Sequence, residues 1–370
     1  MNNRVTIVQP YVPAYRVPFF EKLRASLKED NIECVIAAGR PAGDQAARGD
    51  SMSPDWLTNI DQKVITLAGR SINVSIRPAT WLDSDATIIG LKGTSLPVYK
   101  ALGVSLLGRT RVGLWGHVRP YVNKGNAVDL LFERQQMKMA NHIFAYTPGG
   151  HDYALAAGVC PNKVTTVMNS ISTDELKANL ESITALEVEE YSGLHGLDLG
   201  RTIGFIGGID DSKRIDFLAQ SLDELWVRDS RIKLLLGGKG VEQSKLDAHV
   251  RRGQVVPLGY LNVREKALVL RCSRLLCMPG RIGLVAVDSL VARVPIVTTD
   301  WPFHAPEAEY LREGSSRITA ENSPEAYARQ VMTILNCKGV PKTNTDDWVV
   351  PSLDDMVGNF RAGVIKLLTS

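Results

Sequence analysis

The chain has 370 residues, of which 44% are hydrophobic and 22% are charged. These proportions exclude a disordered or fibrous protein, and the length suits two domains of about 150 to 200 residues each. Its 43 basic and 40 acidic residues leave a formal charge of +3, with no Lys/Arg run resembling a basic arm, so no nucleic acid partner is expected.

The cysteines and the first residues predict a cytoplasmic protein. The five cysteines are widely spaced and mostly inside apolar segments, so buried reduced thiols are expected rather than disulfides. Cys272 and Cys277 lack the spacing of a zinc knuckle, and no metal site is predicted. The start, MNNRVTIVQP, does not resemble a secretory signal. The longest apolar region, 282–298, is interrupted by charged residues and proline, so no membrane span is expected.

Short apolar runs alternate with helical patterns along the first half of the chain. Strands are predicted at VTIV, ECVIAA, KVITL, ATIIG, RVGLWG, HIFAY and KVTTVM. The segment FFEKLRASLKED has helical spacing. Continuous apolar strands separated by helices are typical of a parallel sheet covered on both faces. Residues 1–170 are therefore predicted to form a doubly wound, Rossmann-like domain.

A polar stretch interrupts this series, and a second series follows it. Residues 171–200 contain ELKANLESITALEVEEY and are predicted to be a linker with a connecting helix. Strands at RTIGFIGG, RIKLLLGG, QVVPLG, RLLCMP, VPIVTT and SRITA predict a second Rossmann-like domain at 201–345. The last segment, 346–370, has the spacing of an amphipathic helix and could return to the first domain. The predicted fold class is α/β, with two doubly wound domains facing a cleft.

One strand-to-helix turn in the second half could hold a phosphate group. GFIGGIDDSKRIDFLAQSL places Gly207 and Gly208 after a strand, with Lys213 where its ammonium could reach an anion. The alternative is an ordinary turn in which Asp210 or Asp211 caps a helix beside a solvated lysine. Taken alone, this motif favours the ordinary turn.

MPGRIGLVAVDSLVARVPIV gives a clearer signal. Gly280 and Gly283 flank Arg281 just before a predicted helix. The backbone amides of Gly283 and Leu284 are therefore expected to point at a ligand. A diphosphate would gain charge-assisted hydrogen bonds of roughly 1.5 to 3 kcal/mol each. Asp288 follows about one helical turn later, where it could accept hydrogen bonds from ribose hydroxyls or remain a partly exposed acid.

Together these motifs resemble a known enzyme family. GFIGGIDDSKRIDFLAQSL, LLLGGKG, VVPLGYL, CMPGRIGLVAVDSLVARVPIVTTD and HAPEAEYL occur in the order and spacing of the donor domain of family 4 glycosyltransferases, retaining enzymes of the glycosyltransferase B (GT-B) fold. VQPYVPAYRVPFFEKL resembles the first βα unit of members that build bacterial cell-surface polysaccharides. RVGLWGHVRP resembles the turn that carries their active-site histidine or its equivalent. The resemblance covers nearly the whole chain.

The resemblance implies an activity and its partners. A hexose-type sugar would pass from a nucleotide diphosphate, UDP favoured over GDP, to a hydroxyl of a glycan, a glycolipid or another small acceptor. The reaction would proceed with retention and without a metal or other cofactor. Two alternatives stay open: a sugar-nucleotide epimerase of similar fold, and a non-catalytic relative that binds nucleotide sugars. The implied location is the cytoplasm, or the inner face of the membrane where the acceptor is lipid-linked.

The resemblance also assigns residues. Catalytic roles fall on His117, in the turn that approaches the transferred sugar, and on Lys213, beside the diphosphate. His117 could alternatively be a structural histidine, and Arg281 could face solvent. The implied contacts to the donor are Gly207, Gly208, Lys213, Tyr260, Leu261, Gly280, Arg281, Gly283, Leu284 and Asp288. The implied contacts to the acceptor or the sugar are Tyr15, Arg16, Arg119 and Glu307.

Two positions depart from the family pattern. Gly208 stands where the family often has an arginine that binds phosphate. Gly280 stands where it commonly has the first of two glutamates, which contacts hydroxyls of the donor sugar. Asp288 occupies the position of the second glutamate, which holds the ribose. Donor-sugar recognition is therefore expected to differ from the usual scheme.

The helix FFEKLRASLKED raises the question of a membrane contact. It carries four apolar and four basic residues in or next to it: Phe19, Phe20, Leu23, Leu27, Arg16, Lys22, Arg24 and Lys28. Such a face could lie on an anionic membrane that presents a lipid-linked acceptor. A core-facing helix with a solvated basic side is the favoured alternative.

Overall fold

The computed structural model describes residues 3–41, 50–67, 70–75, 82–121, 126–337 and 348–370. The chain divides into two compact units. Unit 1 comprises Met1–Ser172 and Pro351–Ser370, and unit 2 comprises Thr173–Val350.

Unit 1 contains a seven-stranded parallel sheet, in the order β3-β2-β1-β6-β7-β8-β9. Its strands are β1 (Asn3–Gln9), β2 (Ile32–Ala38), β3 (Leu57–Asn59), β6 (Ala86–Gly90), β7 (Arg111–Gly116), β8 (His142–Ala145) and β9 (Val164–Thr166). Its helices begin with α1 (Val17–Glu29), α2 (Leu96–Leu106), α3 (Ala127–Met139) and α4 (Pro148–Ala156). The strand order reverses at β1, as in a doubly wound fold.

The segment KVITL does not join this sheet. It lies in β4 (Gln62–Leu67), which pairs antiparallel with β5 (Arg70–Ser75) in a separate hairpin. The prediction of a parallel strand here is therefore wrong. Only residues 68–69 separate the two strands, whereas a parallel connection needs a crossover of about a dozen residues or more.

Helix α1 turns its apolar face into the core of unit 1. Phe19, Phe20, Leu23 and Leu27 are all fully buried. The hypothesis that this face contacts a membrane is therefore wrong, and the favoured alternative of a core-facing helix is confirmed. None of the helices in the described ranges combines the length and apolarity needed to cross a bilayer.

Unit 2 contains a six-stranded parallel sheet, in the order β12-β11-β10-β13-β14-β15. Its strands are β10 (Thr202–Ile206), β11 (Lys233–Gly237), β12 (Val255–Gly259), β13 (Leu276–Cys277), β14 (Ile296–Thr299) and β15 (Arg317–Ala320). Its helices are α5 (Asp174–Ser182), α6 (Ala185–His195), α7 (Ile215–Arg228), α8 (Asp247–Arg251), α9 (Val263–Cys272), α10 (Val285–Ala292) and α11 (Pro324–Asn336). All five residues of β10 are buried, as expected for a strand covered on both faces.

The segment expected to be a linker is folded and belongs largely to unit 2. It forms α5 and α6, and Thr184 opens α6 with a capping box completed by Glu187. Gly196 ends α6 in the left-handed conformation, at φ 58°. Leu176 and Ile183 are buried in the core of unit 2. Residues 173–200 are therefore packed structure rather than a free connection.

The last helix, α12 (Leu353–Thr369), belongs to unit 1. Its Phe360 ring stacks on Phe144 of β8 at 4.6 Å and meets Trp115 of β7 edge-on at 5.0 Å. A Cβ at Gly363 would lie 2.5 Å from the Phe144 ring, so only glycine allows this close approach. Helix α12 thus completes the core of unit 1.

All five cysteines are free thiols. Cys34, Cys272 and Cys277 are buried as expected, whereas Cys160 and Cys337 are exposed. The prediction of buried thiols therefore fails at these last two positions. Cys160 lies in the turn after α4, and Cys337 directly follows the end of α11, so neither lies within a strand or helix.

Candidate functional site

The glycine-rich turns after β10 and β11 pack closely against each other. Gly207 donates a backbone hydrogen bond to Gly237 O at 3.0 Å, and Ile209 donates one to Lys239 O at 3.0 Å. Gly238 has φ 138°, and a Cβ there would overlap the carbonyl oxygen of Gly207. Close backbone approach therefore explains these glycines without a ligand.

Lys213 lies in the turn that follows and points toward a second turn. Its Nζ donates a hydrogen bond to the carbonyl oxygen of Arg281 at 2.5 Å. Burial, together with the nearby Arg281, lowers the pKa of Lys213 to about 8, while the carboxylates of Asp210 and Glu307 oppose this decrease. Asp210 also caps the turn by accepting from Ser212 N at 2.9 Å. The capping alternative is thus present, but Lys213 is half-buried rather than freely solvated.

Gly280 lets the turn at Arg281 pack directly against the turn that carries Lys213. A Cβ at Gly280 would lie 2.5 Å from Ser212 O and 2.6 Å from the carbonyl carbon of Lys213. Arg281 N donates to the same Ser212 oxygen at 2.8 Å. Glycine is therefore required here for close packing, and a side chain would displace the backbone that carries Lys213.

The start of α10 carries backbone amides that could bind an anion. The carbonyls of Gly283 and Leu284 accept from Ala286 N and Val287 N, each at 2.9 Å. Within the described ranges, no residue accepts a hydrogen bond from the amides of Gly283 or Leu284. The nearest atom to a Cβ at Gly283 would be Ala305 Cβ at 3.9 Å, so this turn is open where Gly280 is closed. Such a helix start favours a phosphate group.

Asp288 forms an ion pair that the sequence did not predict. Lys266 Nζ, from α9, lies 3.1 and 3.0 Å from the two carboxylate oxygens. Asp288 is only 5% exposed, so the alternative of a partly exposed acid is wrong. Burial raises the pKa of Asp288, and Lys266 opposes the increase. The ribose contact at Asp288 stays a prediction, and Lys266 fixes its carboxylate.

Two further residues at this edge of the sheet were missed. Arg214 has φ 57° and donates to Thr299 Oγ1 at 2.9 Å, with its guanidinium 4.2 Å from the Phe217 ring centroid. His304 Nδ1 accepts from Ile282 N at 3.2 Å, and burial lowers the pKa of His304 to about 4, so its ring is neutral. Arg214 lies in the segment KR and His304 begins the segment HAPEAEYL. Neither segment has a spacing that predicts these contacts.

The remaining donor candidates of unit 2 differ in their exposure. The Tyr260 ring is 72% exposed, whereas Leu261 packs over Gly237. Glu307 is buried in the 3-10 turn Pro306–Tyr310 and lies close enough to Lys213 to raise its pKa. Arg281 Nε donates to Phe303 O at 3.4 Å. The structure therefore brings Lys213, Arg281 and Glu307 together, with Tyr260 presented to solvent.

In unit 1, His117 lies in a constrained turn after β7. Arg119 N donates to His117 O at 2.7 Å, and Val118 between them has φ 66°. The imidazole meets the rings of Tyr146 and Tyr121 edge-on, at 5.1 and 6.2 Å. A non-glycine residue with positive φ is a conformation that surrounding packing must hold.

This turn borders a cavity of about 500 Å³ at the carboxyl ends of β6 and β7. Its lining includes His117 and Arg119, together with Asp129 and Glu133 of α3. Burial raises the pKa of Glu133, the neighbouring Asp129 adds to the increase, and the Gly93 amide, 3.3 Å from its carboxylate, opposes it. The cavity thus offers both hydrogen-bond donors and acceptors beside His117.

Arg16 and Tyr15 differ from each other in orientation. Arg16 is only 5% exposed, donates to Asn169 Oδ1 at 2.6 Å, and places its guanidinium 5.3 Å from the Trp115 ring centroid and 5.6 Å from that of Tyr146. Tyr15 is 44% exposed. The contact predicted for Arg16 is disfavoured because its guanidinium is directed inward, while Tyr15 remains accessible.

Comparisons with known proteins bear on both units. Residues 200–337 match the sequence model of a family described as "Glycosyl transferases group 1". No curated protein sequence matches the chain. A glycosyltransferase structure from Rickettsia africae ESF-5 aligns over 100% of both chains, with 11% identity and a TM-score of 0.68.

Two further structures are similar. Anabaena HepE in complex with UDP and glucose aligns over 100% of both chains, with 12% identity and a TM-score of 0.63. A putative UDP-N-acetylglucosamine 2-epimerase from Listeria monocytogenes shares 14% identity at a TM-score of 0.60, covering 99% of this chain and 96% of that one. At these identities the structural likenesses establish the fold.

Proposed function

Because the chain has the GT-B fold and its residues 200–337 match the sequence model of the group 1 glycosyltransferases, we propose that it transfers a hexose-type sugar from a UDP-sugar to a glycan hydroxyl. Unit 2 would bind the donor, and unit 1 would bind the acceptor and supply His117. The observation that carries this proposal is the convergence of Lys213 Nζ with the Arg281 turn, directly before the open amides of α10.

The leaving diphosphate develops negative charge as the sugar departs. Fixed donors aimed at that charge stabilise the transition state more than the bound substrate. Lys213 and the amides of Gly283 and Leu284 are already held in place by backbone packing, so little reorganisation is needed. Diphosphate binding would favour the charged form of Lys213, whose pKa of about 8 leaves it mostly protonated at neutral pH.

For a retaining reaction without a covalent intermediate, we propose that the acceptor hydroxyl attacks from the side of the leaving group. A phosphate oxygen of that group can then take the hydroxyl proton, so no dedicated base is needed. His117 would position the transferred sugar by hydrogen bonding, since its ring is held between Tyr146 and Tyr121. We propose that these steps proceed without a metal ion, which predicts full activity in the presence of a chelator.

UDP is the favoured nucleotide because the HepE structure of the same fold contains UDP and glucose. A sugar-nucleotide epimerase is the second candidate function. The TM-score to the Listeria putative epimerase, 0.60, is nearly as high as the TM-score of 0.63 to HepE. An epimerase would convert a UDP-sugar to its isomer without acceptor and without net release of UDP. A non-catalytic relative would bind UDP and turn over no donor.

Release of the free nucleoside diphosphate, UDP or GDP, from a panel of UDP- and GDP-sugars, with and without glycan acceptors, tests the proposal. Acceptor-dependent release supports a glycosyltransferase, whereas isomerisation without acceptor supports an epimerase. Lys213→Met should reduce release strongly, while Lys239→Met, at an exposed lysine in the neighbouring turn, should not. UDP binding without turnover of any donor would contradict the proposed activity.

A further inference from the structure

Helices α2 and α3 of unit 1 expose an unusual number of apolar side chains. On α3, the exposed residues are Val128, Leu131, Phe132 and Met139, which are between 42% and 57% exposed. On α2 and directly after it they are Leu96, Leu106 and Leu107, which are between 53% and 72% exposed. Single exposed apolar residues are ordinary, but a group of this size on neighbouring helices indicates a binding surface.

Helix α3 exposes an apolar face in addition to the side that it packs against unit 1. Val128, Leu131, Phe132 and Met139 follow the i, i+3, i+4 and i+11 spacing of a single helix face, and that face is exposed. The side of α3 that is turned inward carries Gln136 and Met137, which are both buried, and the half-buried acids Asp129 and Glu133. Folding of unit 1 alone does not explain why the apolar face points outward.

The exposed faces of the two helices meet. The rings of Tyr99 on α2 and Phe132 on α3 are 6.3 Å apart and edge-on. We call the exposed apolar residues of the two helices, with Tyr99, the α2–α3 surface; its members are Leu96, Tyr99, Leu106, Leu107, Val128, Leu131, Phe132 and Met139.

The charges around the α2–α3 surface have one sign. The exposed charged residues on or directly after these helices are Lys100, Arg109, Arg134 and Lys138. Between residues 92 and 140 the only acidic residues are Asp129 and Glu133, and both line the cavity beside His117. An apolar face with a purely basic rim is complementary to anionic lipid headgroups over an acyl layer.

We propose that the α2–α3 surface binds an anionic lipid bilayer. A second copy of the chain fits this surface less well, because a two-fold contact would place the same patch against itself and bring the four basic residues toward their own copies. No acidic residue of the surface would offset that repulsion. A bilayer supplies both the apolar layer and the opposite charge.

This binding would also select the acceptor, a step that rests on the proposed glycosyltransferase function. Helix α3 contributes its outer face to the surface and Asp129, Leu130 and Glu133 to the cavity wall. A bilayer bound along α3 would therefore lie beside the cavity that His117 borders. The proposed acceptor is accordingly a glycan carried on a lipid rather than a freely diffusing one.

Sedimentation of the full chain with vesicles tests the proposal. Vesicles of phosphatidylcholine with phosphatidylglycerol should bind the protein, while vesicles of phosphatidylcholine alone should bind it weakly. The double variant Leu131→Ser/Phe132→Ser should bind at least about tenfold more weakly, because its apolar contact is lost. Lys100→Glu/Lys138→Glu should also weaken binding, and added salt should weaken binding of the wild type.

Controls separate this test from folding and from catalysis. Ile365→Ser removes an apolar side chain of similar exposure from α12 and should leave vesicle binding unchanged. Thermal unfolding should confirm that the double variants remain folded, and no donor is present in the assay, so its outcome is independent of the proposed activity. If activity is also found, the Leu131→Ser/Phe132→Ser substitution should reduce the turnover rate with lipid-linked acceptors more than the rate with soluble acceptors.

Three results would overturn the proposal. The folded wild type could fail to bind anionic vesicles, or the serine and glutamate variants could bind as tightly as the wild type. Light scattering could also show that the wild type is a dimer that the α2–α3 substitutions convert to a monomer. That last outcome would assign the surface to self-association.

Discussion

Replacing Gly280 by alanine should disturb the candidate donor site through its backbone. The new Cβ would lie 2.5 Å from Ser212 O, a distance that real Cβ contacts essentially never show. One of the two turns must move by about half an ångström to relieve this contact. The movement would strain the 2.8 Å bond from Arg281 N to Ser212 O and the 2.5 Å bond from Lys213 Nζ to Arg281 O.

The size of the effect follows from these contacts. Overpacking of this kind costs about 1 to 3 kcal/mol. For a unit of this length, such a loss lowers Tm by about 2 to 12 °C. If Lys213 loses a charge-assisted bond to the diphosphate as well, roughly 1.5 to 3 kcal/mol of binding is lost, or roughly 10- to 150-fold in the Kd for UDP.

Gly283→Ala is the matched control, because it adds the same methyl group three residues away. Its nearest neighbour would be Ala305 Cβ at 3.9 Å, an ordinary contact, so Tm should not change. Scanning calorimetry of both variants measures the difference in Tm, and titration calorimetry with UDP measures the loss of affinity in Gly280→Ala. An unchanged Tm for Gly280→Ala, or equal decreases in the two variants, would refute the close-packing explanation of Gly280.

Three other predictions concern titratable groups. Lys266→Met should cost unit 2 about 3 to 5 kcal/mol in urea unfolding at neutral pH, because it leaves the buried Asp288 carboxylate without its cation. Burial already raises the pKa of Asp288, so the loss of stability in Lys266→Met should become smaller in acid, where the carboxyl group is protonated. An equal loss of stability at neutral and at acidic pH would contradict the explanation. The Lys213 ammonium, with its pKa of about 8, loses its proton as the pH rises. The affinity for UDP should therefore decrease above pH 8 in the wild type but not in Lys213→Met. Parallel pH profiles of the two proteins in titration calorimetry would count against a role of Lys213 in binding the diphosphate. Burial lowers the pKa of His142 from 6.5 to about 4, so the unfolded state takes up the proton first, and unit 1 should lose up to about 3 kcal/mol of stability between these pH values. His142→Gln should remove most of that loss in acid-unfolding curves, and an unaltered profile would exclude His142 as its source.

The two sheets could be predicted because their strands are short apolar runs between helical patterns. LLLG and TIGFI are buried on both faces, and such runs identify central parallel strands. KVITL reads the same way in the sequence but pairs with a neighbour that begins only three residues later. Strand β3 has three residues and little burial, so no pattern predicts it. Pairing partners, and the position of a short exposed strand such as β3, were therefore beyond the sequence.

The candidate site could be predicted only where its residues follow strands directly. Lys213 and the Arg281 turn both lie at the carboxyl edge of the sheet, which sequence order implies. Lys266 could not be found because it reaches Asp288 from a helix 22 residues earlier, with no motif connecting them. At Gly280 the sequence suggests a missing glutamate, whereas the fold shows a backbone that leaves no room for a Cβ. Absence of a side chain can be understood only when its neighbours are known.

The C-terminal helix has a consequence for the order in which the chain folds during translation. Domains generally fold as units as they leave the ribosome, in their order along the chain. Unit 2 is a continuous segment and can fold as soon as residue 350 has emerged. Unit 1 must wait for residues 353–369, because Phe360 completes its aromatic core. The unit that is synthesised first is therefore the last to bury its aromatic residues, and a nascent chain stalled before α12 would expose them to chaperones.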